Sequence, residues 1–225
     1  PYIMSVAGMS LSGTLTILRN IGESAIVPDL LEINLSCPNL PGKPQIGYDF
    51  DQLEETLRVI SDMTDTLPPW GVKLPPYLDP VFFGEVSDRL LSSRVSFLTS
   101  INSIGNALWI DPLTQQSCIA PKKGLGGLGG RYVKPTALAN VFQFYRHVGH
   151  HIDIVGCGGV TTGTDVWEHI LAGASAVQVG TQLVKENPSC FARITQELHH
   201  SFHDSVYQSW EEARGQLLEM PTEKD

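Results

Sequence analysis

The sequence predicts a parallel α/β fold of the barrel type, and three features predict it. Short apolar strands alternate with amphipathic helices six times along the chain, which is the βα rhythm of a parallel sheet. The strands finish in polar or glycine-rich tips, and a parallel α/β barrel keeps its chemistry at the carboxyl ends of its strands. The chain has 225 residues, 42% of them hydrophobic, enough to bury one core without dividing in two. One domain spanning residues 1–225 is therefore expected.

The chain opens at Pro1 directly into Tyr2-Ile3-Met4-Ser5-Val6-Ala7-Gly8, which reads as the interior of a barrel strand, so further sequence is expected upstream. Leu11, Leu15 and Leu18 then recur at helical spacing, although Gly13 weakens that helix by about 1 kcal/mol relative to alanine. The stretch around which the rest is organised follows. Leu30-Leu31-Glu32-Ile33-Asn34 reads as a strand, and Asn34, Ser36, Cys37 and Asn39 place polar side chains at its carboxyl end. Leu40-Pro41-Gly42-Lys43-Pro44-Gln45, interrupted by two prolines and a glycine, cannot continue helix or strand and reads as a loop over that end. Phe50, Leu53, Leu57, Ile60 and Met63 form one helical stripe that stops before Pro68-Pro69. Trp70 to Leu74 is a strand closed by Pro75-Pro76, with Lys73 its single charge. Asp79 and Pro80 start a helix whose apolar face holds Phe82, Val86 and Leu90.

Val95 to Ile101 forms the fourth strand and delivers Asn102 and Ser103 at its end. Turn signals between Ile110 and Ala120 suggest an excursion at the barrel mouth. Five of the seven residues from Gly124 to Gly130 are glycine, a composition without use inside a helix or strand, so the segment is expected to bend sharply or lie against a ligand. Pro135 begins a helix with Leu138, Val141, Phe142, Tyr145 and Val148 on its face. Ile152 to Val155 is the next strand and ends in Gly156-Cys157-Gly158-Gly159; Ala176 to Val179 is the last and ends in Gly180-Thr181. A long helix after Asn187-Pro188 and a final one capped by Ser209 with Glu212 complete the chain.

A net charge of −9 with no block of Lys or Arg argues against nucleic acid or an anionic membrane as partner and for a small molecule. Cys37, Cys118, Cys157 and Cys190 include no C-x-x-C pair, which suits neither a zinc site nor a disulfide framework and fits a reducing cytosol. No uncharged apolar run approaches the roughly eighteen residues of a membrane span, and the start lacks the shape of a signal peptide. His199 and His203 stand four apart on the C-terminal helix but without a Glu at H-E-x-x-H spacing, so no metal is expected.

Two consecutive late strands ending in Gly158-Gly159 and Gly180-Thr181 would aim bare backbone N–H groups at one spot, a phosphate grip in barrels of this kind. Tight βα turns are the plainer reading of either pair alone. Lys73 would be costly to bury without an anion, which a cofactor would supply; a Schiff-base lysine and a lysine reaching out to solvent are the alternatives. Asn34, Asn39, Asn102 and Ser103 offer uncharged donors and acceptors suited to a planar ring bearing amide-like groups.

Taken together, Asn34-Leu35-Ser36-Cys37-Pro38-Asn39, Pro41-Gly42-Lys43-Pro44-Gln45, Val72-Lys73-Leu74-Pro75-Pro76, Asn102-Ser103-Ile104-Gly105-Asn106, Gly126-Gly127-Leu128-Gly129-Gly130, Lys134-Pro135-Thr136-Ala137-Leu138-Ala139-Asn140 and Gly180-Thr181 resemble the dihydroorotate dehydrogenases, and within them the soluble, fumarate-linked class with a cysteine base. The resemblance covers essentially the whole chain. It implies a (β/α)₈ TIM barrel with FMN at its carboxyl mouth, (S)-dihydroorotate oxidised to orotate in pyrimidine (UMP) biosynthesis, fumarate as electron acceptor, a cytoplasmic location and a homodimer. It also implies roles. Asn34, Lys73, Ile101, Gly130, Gly158, Gly159, Gly180 and Thr181 would bind FMN; Asn34, Asn39, Asn102 and Ser103 would bind the substrate; and Lys122 would belong to a lid loop. Cys37 would be the catalytic base, taking the C5 proton as hydride leaves C6 for the flavin.

The sequence departs from the family in two respects. Ala120 stands where the family has the first lysine of a Lys-Pro-Lys run, which softens the lid. Two upstream strands of the family, carrying another flavin lysine and an Asn-Ser-Met-Gly-type loop, have no counterpart, so about six of eight βα units and an N-terminally truncated chain are expected. Two other readings stay open at this stage. One is an inactive barrel acting through partner or dimer contacts, and the other is a different enzyme: another FMN-dependent pyrimidine-type oxidoreductase, or a phosphosugar lyase or isomerase using Lys73.

Overall fold

The computed structural model describes residues 1–36, 44–119 and 124–219. Its framework is a parallel sheet of six strands: β1 (Ile3–Val6), β2 (Leu30–Asn34), β3 (Trp70–Leu74), β4 (Phe97–Ser100), β9 (Asp153–Cys157) and β10 (Ala176–Gln178), in that spatial order. Between them run α1 (Leu11–Gly22), α2 (Phe50–Ser61), α3 (Val81–Leu91), α4 (Lys134–Val148) and α5 (Gly163–Leu171); α6 (Thr181–Glu186), α7 (Ser189–His203) and α8 (Trp210–Ala213) follow the last strand. The six strands stand where the alternating pattern predicts them, as do those of their carboxyl tips that lie within the described residues. Against the eight of a closed barrel, the described residues form six, with β1 and β10 at the two ends.

The sheet is nevertheless strongly curled, and one hydrogen bond demonstrates it. Gln178 Nε2 on β10 donates to Glu32 Oε2 on β2 at 2.7 Å, although β3, β4 and β9 lie between those strands in the sheet. In a flat sheet four inter-strand spacings would hold them about 19 Å apart. The strands therefore arch around a common interior as barrel staves do.

Burial follows from this layering. Strands β3 and β4 are covered on both sides and read as near-continuous buried runs, as central strands of parallel sheets do. Trp70, Leu31, Ile33, Val72, Leu74 and Leu98 meet Leu53, Leu57, Ile60, Leu90 and Phe144 from the helices in one core. Two helix faces differ from expectation. On α3 the buried phenylalanine is Phe83, while Phe82 lies at the surface with its ring edge against Phe50. On α4 the buried face is Ala137, Asn140, Val141, Phe144 and Val148, with Leu138, Phe142 and Tyr145 on its flanks. The polar Asn140 takes a core position because it clamps the segment after β3: it accepts from Tyr77 N–H at 2.8 Å and donates to Tyr77 C=O at 3.0 Å. Apolar spacing alone gives no sign of such a clamp.

The glycine-rich segment also differs. Rather than a bend without strand character, Leu125–Leu128 forms strand β8, antiparallel to β5 (Ile104–Leu108); β6 (Ile110–Asp111) and β7 (Gln116–Ser117) form a second small ribbon. The glycines serve close approach within it: a Cβ at Gly127 would collide with Ser103 Oγ. The excursion thus packs its backbone against a residue at the tip of β4.

Candidate functional site at the strand carboxyl ends

The in-register pairs Asn34–Lys73, Lys73–Thr99, Ser100–Gly156 and Cys157–Gln178 bring the ends of β2, β3, β4, β9 and β10 level with one another. Between them lies a cavity of about 150 Å³. Lys73, Ile101, Asn102 and Ser103 line it together with Gly130, Cys157, Gly158, Gly159, Gln178, Gly180 and Thr181. Every residue singled out as cofactor-binding is therefore on this cavity, except Asn34. Asn34 sits one shell away, where its Oδ1 accepts from Ser36 N–H at 3.0 Å, Ser36 Oγ at 3.0 Å and Asn102 Nδ2 at 3.1 Å. Three donors on one oxygen fix the amide's orientation and leave Nδ2 as its remaining donor. Asn102 is held in turn by its bond to Ser36 Oγ at 2.7 Å and by accepting Ser103 N–H at 2.8 Å. Cys37, Asn39 and Lys122 lie outside the described residues.

Lys73 carries a correction. The anion expected beside it already exists within the chain: Glu32, 2% exposed, has its Oε1 3.9 Å from Lys73 Nζ. Glu32 also accepts from Ser5 Oγ at 2.7 Å, Thr99 Oγ1 at 2.6 Å and Gln178 Nε2 at 2.7 Å. Gln178 faces both ways, because its Oε1 accepts from Lys73 Nζ at 2.8 Å. A buried carboxylate with three neutral donors and a nearby cation is a satisfied network rather than an isolated charge. Lys73 is thereby fixed by two neighbours, at the edge of the cavity.

Cys157 shares this environment with a different outcome. Burial pushes its thiol pKa up; the Lys73 ammonium pulls it down and Glu32 adds to the rise, leaving it above the ordinary value. Cys157 stays a thiol at neutral pH and is a lining group rather than a base.

The glycine corner after β9 is braced from outside. Gly158 and Gly159 have φ of +134° and +79°, and a Cβ at Gly159 would overlap Lys134 Cβ and lie 2.7 Å from its Cα. Thr162 and Asp165 form a reciprocal cap on α5. Asp165 accepts from Lys134 Nζ at 2.7 Å, Thr161 N–H at 2.8 Å and Thr162 N–H at 2.8 Å. Burial raises its pKa, but these hydrogen bonds outweigh it and hold the carboxyl well below the usual range. A group depressed below its unfolded value of about 3.9 stabilises fully above that pH and loses its contribution as the pH falls through the native value. Asp165→Ala is therefore expected to cost about 2 kcal/mol at pH 7, and the gap to the parent is expected to close in urea unfolding below about pH 4. A gap independent of pH would contradict this account.

Glu32, Gln178 and His169 are the residues sequence reasoning passed over. A lone carboxylate between Leu31 and Ile33 on a strand was the available signal for the first; the other two carried none. A larger cleft of about 440 Å³ lies elsewhere, among Val166, Ile170, Phe191, Ile194, Leu198 and Trp210 of α5, α7 and α8. It is mainly aliphatic and sits away from the strand tips, so the smaller cavity is the better candidate despite its size.

The sequence pattern of the family described as "Dihydroorotate dehydrogenase" matches residues 1–202. The chain belongs to the dihydroorotate dehydrogenase family. It is 46% identical over 217 residues to "Dihydroorotate dehydrogenase A (fumarate)" of Lactococcus lactis subsp. cremoris (strain MG1363), covering 96% of this chain and 69% of that protein. Against "Probable dihydroorotate dehydrogenase A (fumarate)" of Enterococcus faecalis (strain ATCC 700802 / V583) it is 48% identical over 217 residues, with the same coverage. The fold is also that of the Eimeria tenella dihydroorotate dehydrogenase crystallised with ferulenol: the TM-score is 0.74 at 23% identity, over 92% of this chain and 58% of that one. The chain thus spans about two thirds of the length of the curated relatives and under two thirds of the solved one. Dihydroorotate dehydrogenases are flavin-dependent oxidoreductases, and their barrel is the one of which six parallel strands are described here.

Proposed function

We propose that this protein oxidises (S)-dihydroorotate to orotate in pyrimidine biosynthesis, with FMN as its flavin and fumarate as the acceptor that regenerates it. The observation that carries the reading is the convergence of Lys73, the Asn102-Ser103 tip and the two glycine corners on one cavity.

The donor set fits FMN. At the glycine corners, a would-be Cβ on Gly180 has no neighbour within 4 Å among the described residues, and Thr181 opens α6, so backbone and hydroxyl can reach a phosphoryl group there. Lys73, steadied by Gln178 and Glu32, supplies a cation for the polar edge of the ring system, and Ile101 supplies an apolar wall. When bound, FMN supplies a two-electron acceptor for hydride.

The chain's own residues do the remaining work. Asn102 and Ser103, with Asn34 and Asn39, hold the pyrimidine and its carboxylate by hydrogen bonds without adding charge. Cys37, as thiolate, receives the C5 proton; a thiol of ordinary pKa about 8.5 needs only a modest lowering to serve near neutral pH. By its family resemblance, Lys122 is proposed as a lid residue toward the substrate. Homodimerisation and a cytoplasmic location belong to the same proposal; among the described residues, no helix is long and apolar enough to cross a membrane.

The test is anaerobic mixing of the FMN-loaded protein with dihydroorotate. The visible flavin absorbance is expected to bleach and to return on adding fumarate. Colour that persists through the first addition would overturn the reading, and colour restored by a quinone but not by fumarate would overturn the assignment of acceptor.

A further inference from the structure

His169 lies on α5 outside the cavity, is 0% exposed, and among the described residues has a single hydrogen-bond partner: Nε2 stands 3.2 Å from the Gly158 carbonyl oxygen. A carbonyl only accepts, so Nε2 must carry the proton. Its Nδ1 is buried with no partner among the described residues. Burial pushes the imidazole's pKa down, with the Gly158 bond opposing it, consistent with a neutral ring. An orphaned buried nitrogen is costly, and the ring's position is enforced from below as well: a Cβ on Gly156 would come within 2.5 Å of Nδ1. Strand β9 thus keeps glycine at 156 so that a histidine can lie on it and reach Gly158.

The effect of that reach follows from peptide geometry. In a trans peptide unit the C=O and the next residue's N–H point in opposite directions. Holding the Gly158 C=O outward, toward α5, turns the Gly159 N–H the other way, toward the cavity that Gly158 and Gly159 line. That N–H has no backbone acceptor among the described residues. Both glycines have positive φ, where glycine resists no particular peptide orientation, so a hydrogen bond to the Gly158 carbonyl adds a preference for one orientation to the bracing by Lys134.

We infer that His169 is a positioning residue for the anion corner: by holding the Gly158 carbonyl it aims the Gly159 N–H at the phosphoryl group of the flavin. This rests on the FMN reading above. It assigns no contact between His169 and the cofactor; the residue acts through the peptide.

The test compares FMN with riboflavin, which lacks the phosphate, by quenching of flavin fluorescence on titration with the protein. The parent is expected to prefer FMN. In His169→Asn, whose amide reaches only the Nδ1 position, and in His169→Phe, that preference is expected to fall about tenfold while riboflavin affinity stays within about twofold. His169→Gln, whose amide reaches the Nε2 position, is expected to restore the preference. The inference is overturned if the Asn variant keeps the parent's preference, if Gln fails to recover it, or if both flavins weaken together, which would mark a purely structural residue. A parent that does not distinguish FMN from riboflavin would bring down the phosphate site itself and this inference with it.

Discussion

Cys37→Ser is expected to slow reduction of bound flavin by dihydroorotate by about two to four orders of magnitude, the usual worth of a positioned general base. FMN affinity is expected to hold within a few-fold. The reason is acidity: a thiol ionises within reach of neutral pH, whereas a serine hydroxyl remains protonated and cannot accept the C5 proton. Cys157 sharpens the contrast, since burial and Glu32 keep its sulfur protonated and it cannot take over as base. Stopped-flow bleaching with saturating dihydroorotate measures the effect, and a serine variant that bleaches within tenfold of the parent would refute Cys37 as the proton acceptor.

Lys73→Met is expected to have the second largest effect, on stability as well as binding. Removing the ammonium leaves Glu32, 2% exposed, with three neutral donors and no cation at 3.9 Å. Breaking a buried pair on one side costs about 3–5 kcal/mol; the long separation and the partial exposure of Lys73 place the expected loss near the lower end, about 3 kcal/mol. Adding Glu32→Gln to Lys73→Met removes the stranded charge and is expected to recover most of that loss, giving a coupling of at least about 1 kcal/mol. Urea unfolding of the two single variants and the double variant provides the measurement. Strictly additive losses would show that Glu32 and Lys73 do not sense each other.

Much of this site was legible in the sequence because strand tips carry their own signature. The period of apolar residues locates the six strands, and in a parallel sheet all carboxyl ends point the same way, so Lys73, Asn102, Gly158 and Gly180 had to share a mouth once the strands were placed. What was not legible depends on side chains meeting across the interior. Glu32 reaches Gln178 only because the sheet curls, and curl is a property of the assembled strands rather than of either one. Asn140 is buried for two hydrogen bonds to Tyr77, which apolar periodicity reads as a gap in the face and so shifts the face to its neighbours. The strand at Leu125–Leu128 escaped notice for the opposite reason: glycine lowers strand propensity, yet close packing against Ser103 is what that backbone requires.

The most direct measurement is a crystal structure of the protein grown with FMN and orotate. The flavin phosphate is expected within hydrogen-bond distance of the Gly159 N–H and Thr181, with orotate between Asn102 and the Cys37 sulfur. Flavin bound instead in the apolar cleft beside Trp210, or Cys37 remote from the orotate ring, would contradict this expectation.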